Sequence, residues 1–390
     1  MKLSRNLTQF TKAKKGTIHY LFIGLGCLFS SQAQALSCEF SKLFTDNVSI
    51  PVVGLGISTA GEDVPVGKVL YSQRYFISPK TTSFECTVGT EDLGNTPYTM
   101  NAYATVAVVS TPSGPANRVD GKDVFPTNVP GIGAIIYTSG SNIEVSTFPD
   151  TWERTFSINY GTTSQGLGQL SIVKIELIKT GPIQAGTQQV QGASLPSFQF
   201  TSGSNSPIPM SNVFVNLNFV GSTTVHTKTC QLATSNIDVN LGNHAVGDFT
   251  SPGTVTEWKD FDIILQGCPP FYGYGNYNYN ENTGRLTGSN AENVISIGFQ
   301  SANGVIEGNP SLAKLDGGIN AATGVGIELS QRNISGSIPL DGSGGFNLPN
   351  LLQEDNATYI IPLKARYVQS DTNVTAGPAN GSVVFTITYL

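Results

Sequence analysis

The last eight residues, Val383-Val-Phe-Thr-Ile-Thr-Tyr-Leu390, constrain the fold most. Val383, Phe385, Ile387 and Tyr389 recur at every second position, with Val384, Thr386, Thr388 and Leu390 between them. A period of two in β-branched and aromatic residues predicts a strand, because successive side chains of a strand point to opposite faces. Chain ends usually fray. An end this apolar is therefore expected to be buried or to wait for a partner.

The same alternation recurs upstream. Strands are predicted at 47–53, 67–72, 99–109, 134–137, 170–179, 213–220 and 365–369, separated by clusters of Gly, Pro, Asn and Ser that mark turns. No stretch holds a helical period. The expectation is an all-β chain of two β-sandwich domains. Only 12% of residues are charged and 43 are Gly, which suits an extracellular β-rich protein. The 39% apolar fraction lies in alternating runs and argues against disorder.

Residues 1–35 read as a secretory signal peptide. Lys2, Arg5, Lys12, Lys14 and Lys15 precede an apolar run at 20–29, and Ala33-Gln-Ala35 offers a small-residue cleavage site. The mature chain is expected to begin at Leu36. Five of the 21 basic residues and none of the 27 acidic ones precede Leu36, so 16 basic residues face 27 acidic ones in the remainder. A chain this acidic has no basic stripe for phosphates, and nucleic acid is not an expected partner.

Cys27 would leave with the signal peptide. Cys38, Cys86, Cys230 and Cys268 remain and allow three pairings. Spacing favours two local bridges, Cys38–Cys86 and Cys230–Cys268, formed in an oxidising compartment. A metal site is not expected, because no Cys-x-x-Cys pair exists and His226 and His244 are the only histidines after residue 35. No cofactor is expected either. Nor is an enzyme: there is no Gly-x-Ser-x-Gly turn, and Gly61–Lys68 has one residue too many for a phosphate loop, with Val69 where Ser or Thr is needed.

Two blocks carry a family resemblance. One is the C-terminal run itself, with Gly377 fourteen residues from the end and Tyr389 second from it. The other is Cys230, the alternation Ile237, Val239, Leu241, then Gly242, Phe249, Phe261, Ile263, Leu265 and Cys268-Pro269. Together they resemble the pilin domain of bacterial chaperone–usher pilus subunits. The resemblance implies an immunoglobulin-like sandwich that lacks its last strand, with a groove beside Val383, Phe385, Ile387 and Tyr389. It implies three partners: a periplasmic pilus chaperone, an outer-membrane usher, and the next pilus subunit, whose extension fills the groove. About five apolar side chains at roughly 1.5–3 kcal/mol each would give on the order of 8–15 kcal/mol before ordering costs.

An ordinary pilin carries a short donor extension before its first Cys. This chain carries about 190 residues there, with their own cysteine pair. That layout resembles a two-domain fimbrial tip adhesin. The expected division is 36–222 for a receptor-binding, lectin-like domain, 223–229 for a linker, and 230–390 for the pilin domain. The protein would pass through the periplasm to the cell surface and sit at the fimbrial tip.

The first domain also resembles the lectin domains of such adhesins, in Phe125-Pro-Thr-Asn-Val-Pro-Gly-Ile-Gly133 running into Ala134-Ile-Ile-Tyr137, and in Ser164-Gln-Gly-Leu167 running into 172–182. In lectins of this kind that bind N-acetylglucosamine, a hydroxyl residue, a Gln and a Gly contact the sugar. Ser164, Gln165 and Gly166 match that run. A second contacting segment corresponds to Ser141 and Asn142, here without a carboxylate before Glu144, and a Trp near the site corresponds to Trp152 at a different spacing. Amides, hydroxyls and an aromatic face are what a sugar ring needs, and the implied ligand is a host glycan. The Asn-Asp pair of mannose-binding relatives is absent after Cys86, where Thr-Val-Gly-Thr-Glu-Asp92 follows. Two other readings stay open: a tip adhesin with a protein receptor, and a structural minor pilus subunit. The Tyr- and Asn-rich stretch 269–282 is read as a solvated surface loop, with stacking on a sugar or a neighbouring subunit as its other reading.

Overall fold

Most of the alternating sequence becomes ladder among the described residues. The computed structural model describes residues 36–41, 45–53, 57–58, 63–89, 98–139, 144–159 and 161–390. The signal peptide, Ser141, Asn142 and the Glu91–Asp92 segment lie outside them.

The first fourteen strands are β1 (Leu36–Phe40), β2 (Asp46–Val52), β3 (Ile57–Ser58), β4 (Val69–Val88), β5 (Tyr98–Ser110), β6 (Asn117–Val119), β7 (Lys122–Pro126), β8 (Ile132–Ser139), β9 (Glu144–Val145), β10 (Asp150–Ile158), β11 (Gly161–Lys179), β12 (Thr187–Gln191), β13 (Ser197–Ser206) and β14 (Met210–His226). Then come β15 (Gln231–Leu232), β16 (Lys259–Cys268), β17 (Tyr274–Asn280), β18 (Arg285–Ala291), β19 (Ile295–Ser301), β20 (Val305–Ile306), β21 (Asn309–Ala313), β22 (Val325–Gln331), β23 (Asp341–Asn347), β24 (Ala357–Gln369) and β25 (Val383–Tyr389). All seven strands read above, and the C-terminal run, are present. β4, β11 and β14 extend well beyond the stretches that announced them.

The N-terminal sandwich pairs two sheets. One has the order β18-β17-β4-β11-β8-β7-β6, with β1 on β4 and β9 on β8; the other has the order β10-β5-β13-β14-β12, with β2 and β3 parallel to β14. Tyr71, Tyr75, Phe198, Phe200, Ile50 and Ile136 are fully buried between them. The end farthest from the C-terminal half has its own small core, with Phe84, Cys86, Met100, Phe156, Ile158 and Leu167.

The C-terminal sandwich pairs a sheet β15-β16-β24-β22-β21-β20 with a three-stranded sheet β23-β19-β25. Ile263, Leu265, Ile297, Leu340, Ile361 and Leu363 fill it. Both expected disulfides are present, Cys38–Cys86 across the β1–β4 ladder and Cys230–Cys268 from the start of the second half to the end of β16.

One reading is corrected. The stretch 269–282 is not a solvated loop. Its residues 274–280 form β17, which folds back on β18 and pairs in parallel with β4 of the N-terminal sandwich. Gly and Asn disfavour strands, so the composition hid a hairpin whose Tyr274 and Tyr277 are buried.

Candidate functional sites

Two places in the molecule can receive a partner. The first is the open side of the C-terminal sandwich. β25 runs antiparallel to β19, from Ile295 opposite Tyr389 to Ser301 opposite Val383. Among the described residues β19 is its one ladder partner. Val383, Phe385 and Ile387 are half-buried and Tyr389 is buried, while Val384 on the other face is 58% exposed. The face read from the sequence is the face turned inward.

Beyond β25 lies a groove of about 860 Å³. Val383 and Phe385 form one wall; Ile237, Val239 and Leu241 form the other; Ile263, Ile327 and Leu329 lie beneath. The 237–241 segment alternates apolar-in with polar-out, as a strand does, yet it joins no ladder among the described residues. The free edge of β25 and this unladdered segment therefore border one trough with apolar side chains along it. An edge of this kind is a template for an added strand.

The two ends of the family motif have physical roles here. The Gly377 backbone passes so close to Asn320, Ala321 and Ala322 that a Cβ would stand 2.0 Å from the Asn320 carbonyl oxygen. Tyr389 anchors the other end. Burial pushes its phenol up to about 12, and its hydroxyl engages the Cys230 main chain.

The second place is the distal end of the N-terminal sandwich. Ser164, Gln165 and Gly166 lie on β11, in register with Glu85, Phe84 and Ser83 of β4. They are part of a ladder, and the alternation of a strand divides them. Gln165 shares the inner face with buried Phe84, whereas Ser164 and Gly166 are exposed on the outer face. Trp152 lies on β10 of the opposite sheet, paired with buried Ala104 and packed against the core. The structure thus puts Gln165 and Trp152 on inner faces and separates them from Ser164.

On the outer face the ladder collects residues that the sequence did not single out. Glu39 lies opposite Glu85, and Glu85 lies opposite Ser164, whose hydroxyl is 3.5 Å from the Glu85 carboxylate. Beside that row Thr87 and Thr162 are 3.4 Å apart, and the hydroxyls of Ser41 and Ser83 are in contact. Neither glutamate has an ion-pair partner among the described residues. The result is a flat array of hydroxyls and carboxylates over Gly166. Its only trace in the sequence is period-two polarity in β1, β4 and β11, and that signal has no force until the register is known.

Among the described residues no cluster of His, Cys, Asp or Glu could hold a metal ion. No helix there is long and apolar enough to cross a membrane.

The fold and these sites define a class: tandem, disulfide-stapled β-sandwich proteins whose second sandwich ends on a strand beside a groove. Residues 217–390 match the family model for fimbrial protein, and residues 53–216 match that for the MrkD-like receptor binding domain. A type-1 fimbrial protein subunit of Serratia marcescens is 32% identical over 172 residues, covering 41% of this chain and 79% of the relative. The S-fimbrial adhesin protein SfaS of Escherichia coli O6:K15:H31 (strain 536 / UPEC) is 35% identical over 162 residues, covering 42% and 77%. This chain belongs to the fimbrial protein family. It has the layout of a two-domain chaperone–usher adhesin, a receptor-binding part followed by a fimbrial part. Among solved structures, the CupB6 tip adhesin of Pseudomonas aeruginosa is similar at 18% identity and a TM-score of 0.35, over 90% of this chain and 94% of that one. The receptor binding domain of the adhesin MrkD1P of Klebsiella pneumoniae is similar at 18% and 0.30, over 50% and 98%.

Proposed function

We propose that this protein is a fimbrial tip adhesin that attaches bacteria to a host glycan through residues 36–222 and joins its pilus through residues 230–390. The observation that carries the reading is the trough between β25 and the 237–241 segment. A periplasmic chaperone lends it a strand first. At the outer-membrane usher, the next subunit's extension replaces that strand. The receptor-binding half stands before Cys230, where a pilin carries its donor extension, and this favours the tip. Of the expected linker 223–229, residues 223–226 end β14 in a ladder with β12, and 227–229 carry the chain on to Cys230.

The glycan site proposed here is the distal end of β11. Ser164 with Glu85, Thr87 and Thr162 supplies hydrogen bonds on the outer face, where Gly166 leaves room for a ring. Gln165, with Trp152 on the opposite sheet, holds the ladder from within. Ser141 and Asn142, outside the described residues, remain candidates.

The test is a glycan array probed with the mature chain in its chaperone complex. Ser164→Ala and Glu85→Gln are expected to abolish a signal that Gln165→Ala only weakens. Adhesion to cells that survives enzymatic removal of their glycans would point instead to a protein receptor. No adhesion by any route would leave a structural minor subunit. For the pilus half, a peptide bearing the next subunit's alternating extension should bind the mature chain and raise its Tm. No binding would refute strand addition.

A further inference from the structure

The β4 edge of the N-terminal sandwich is shared by two strands. β1 takes its distal part, with Leu36–Phe40 opposite Val88–Phe84. The part nearest the C-terminal half is taken by β17, which belongs in sequence to that half: Gly275 to Asn280 run parallel to Tyr71 to Phe76. The hairpin leaves the C-terminal sandwich just after Cys268 and returns to it at β19.

The contact is packed and polar at once. Tyr277 meets Tyr71 with ring centroids 5.8 Å apart, and Tyr279 meets Tyr75 at 5.7 Å. Gly275 is small because a Cβ there would stand 2.5 Å from the Tyr277 ring and 3.0 Å from that of Tyr71. At the hairpin tip the Glu281 amide donates to the Phe76 carbonyl at 2.9 Å, and the Glu281 carboxylate accepts from the Ser78 amide at 2.8 Å. Tyr71, Gln73 and Tyr75 are at most 1% exposed. Without the hairpin, β4 at 71–76 would keep its ladder with β11 but present an open edge, with its aromatic side chains uncovered on that side.

We propose that the pilin half donates a strand to the receptor-binding half within the same chain, so that β17 completes the receptor-binding sandwich and binds the two halves into one rigid unit. The hairpin is rooted beside the C-terminal sandwich and points along β4 toward the distal end. Pulling the halves apart along β4 therefore loads the whole β4–β17 ladder in shear, not one hydrogen bond at a time. β4 then carries this joint at one end and the neighbours of Ser164 at the other. The inference does not depend on what the receptor is.

The test uses the full mature chain in its chaperone complex and reads amide hydrogen exchange in β4. In the intact chain the amides of 71–76 are expected to exchange slowly. In the double variant Tyr277→Ala/Tyr279→Ala they should exchange roughly tenfold faster or more, as locally opened edges do, while those of β19 and β24 are unchanged. Unaltered exchange at 71–76 would overturn the proposal. A second readout does not depend on that variant folding. Spin labels at the exposed Thr151 and Ser343 of the otherwise intact chain should give one narrow distance distribution, which broadens when residues 274–291 are replaced by a short Gly-Ser tether. A broad distribution in the intact chain would also overturn it.

Discussion

Phe385 of β25 lies directly across the ladder from Phe299 of β19, and both line the trough of the C-terminal sandwich. Phe299 is 3% exposed, whereas Phe385 is only half-buried. The difference measures how far the trough is open on the β25 side. Phe385→Ala should cost roughly 1–3 kcal/mol, below the ~3–5 typical of a fully buried Phe, when urea denaturation follows the chain bound to a donor-strand peptide. Ile387→Asp, which places a charge on the inner face, should abolish capture by the chaperone in a pull-down.

Gly377 is required by a close approach, so its replacement should be harmful out of proportion to its size. Gly377→Ala is expected to destabilise by ~1–3 kcal/mol through forced displacement of the Asn320–Ala322 backbone. Gly317→Ala, where a Cβ meets nothing within 4 Å, is the matched control and should melt like the parent.

The Cys230–Cys268 bridge closes a separation of 38 residues that includes the 237–241 side of the trough. Cys230→Ser with Cys268→Ser should lower stability by ~2–5 kcal/mol, read by the same urea titration. The Cys38–Cys86 bridge should remain oxidised in mass spectra of that variant.

His226 ends β14 with its ring 5.7 Å from that of Tyr272, at the root of the hairpin, and its ring nitrogen is 3.2 Å from the Thr187 hydroxyl. Burial holds its pKa below the usual imidazole value, against the opposing pull of Asp355. The unfolded chain therefore binds this proton more readily than the folded one. The contribution is whole above the unfolded value of about 6.5 and is lost as pH falls through it toward the lower folded value. The Tm of the parent should consequently drop more steeply than that of His226→Gln below about pH 6.5. Parallel curves would contradict the assignment.

The all-β character, both disulfides and the inward face of β25 were legible because each rests on local period or on cysteine spacing. The hairpin was not legible. The run Tyr274-Gly-Asn-Tyr-Asn-Tyr-Asn280 has strand-like spacing at Tyr277 and Tyr279, but its Asn and Gly read as turn, and its partner β4 lies some 200 residues earlier in the chain. The distal face was half legible. Ser164 and Gly166 stood out by resemblance, but Glu39, Glu85 and Thr87 join them only through the β1–β4–β11 register. That same register shows why Ser164 and Gln165, adjacent in sequence, turn away from each other.

The main chain crosses between the two sandwiches on entering Cys230, on leaving Cys268 into the hairpin and on returning to β19, and Cys230 and Cys268 are bonded to each other. Two of these crossings thus meet at one covalent knot. A pull between the two halves would reach that knot by whichever of these two crossings tightened first, and the other would still hold its place.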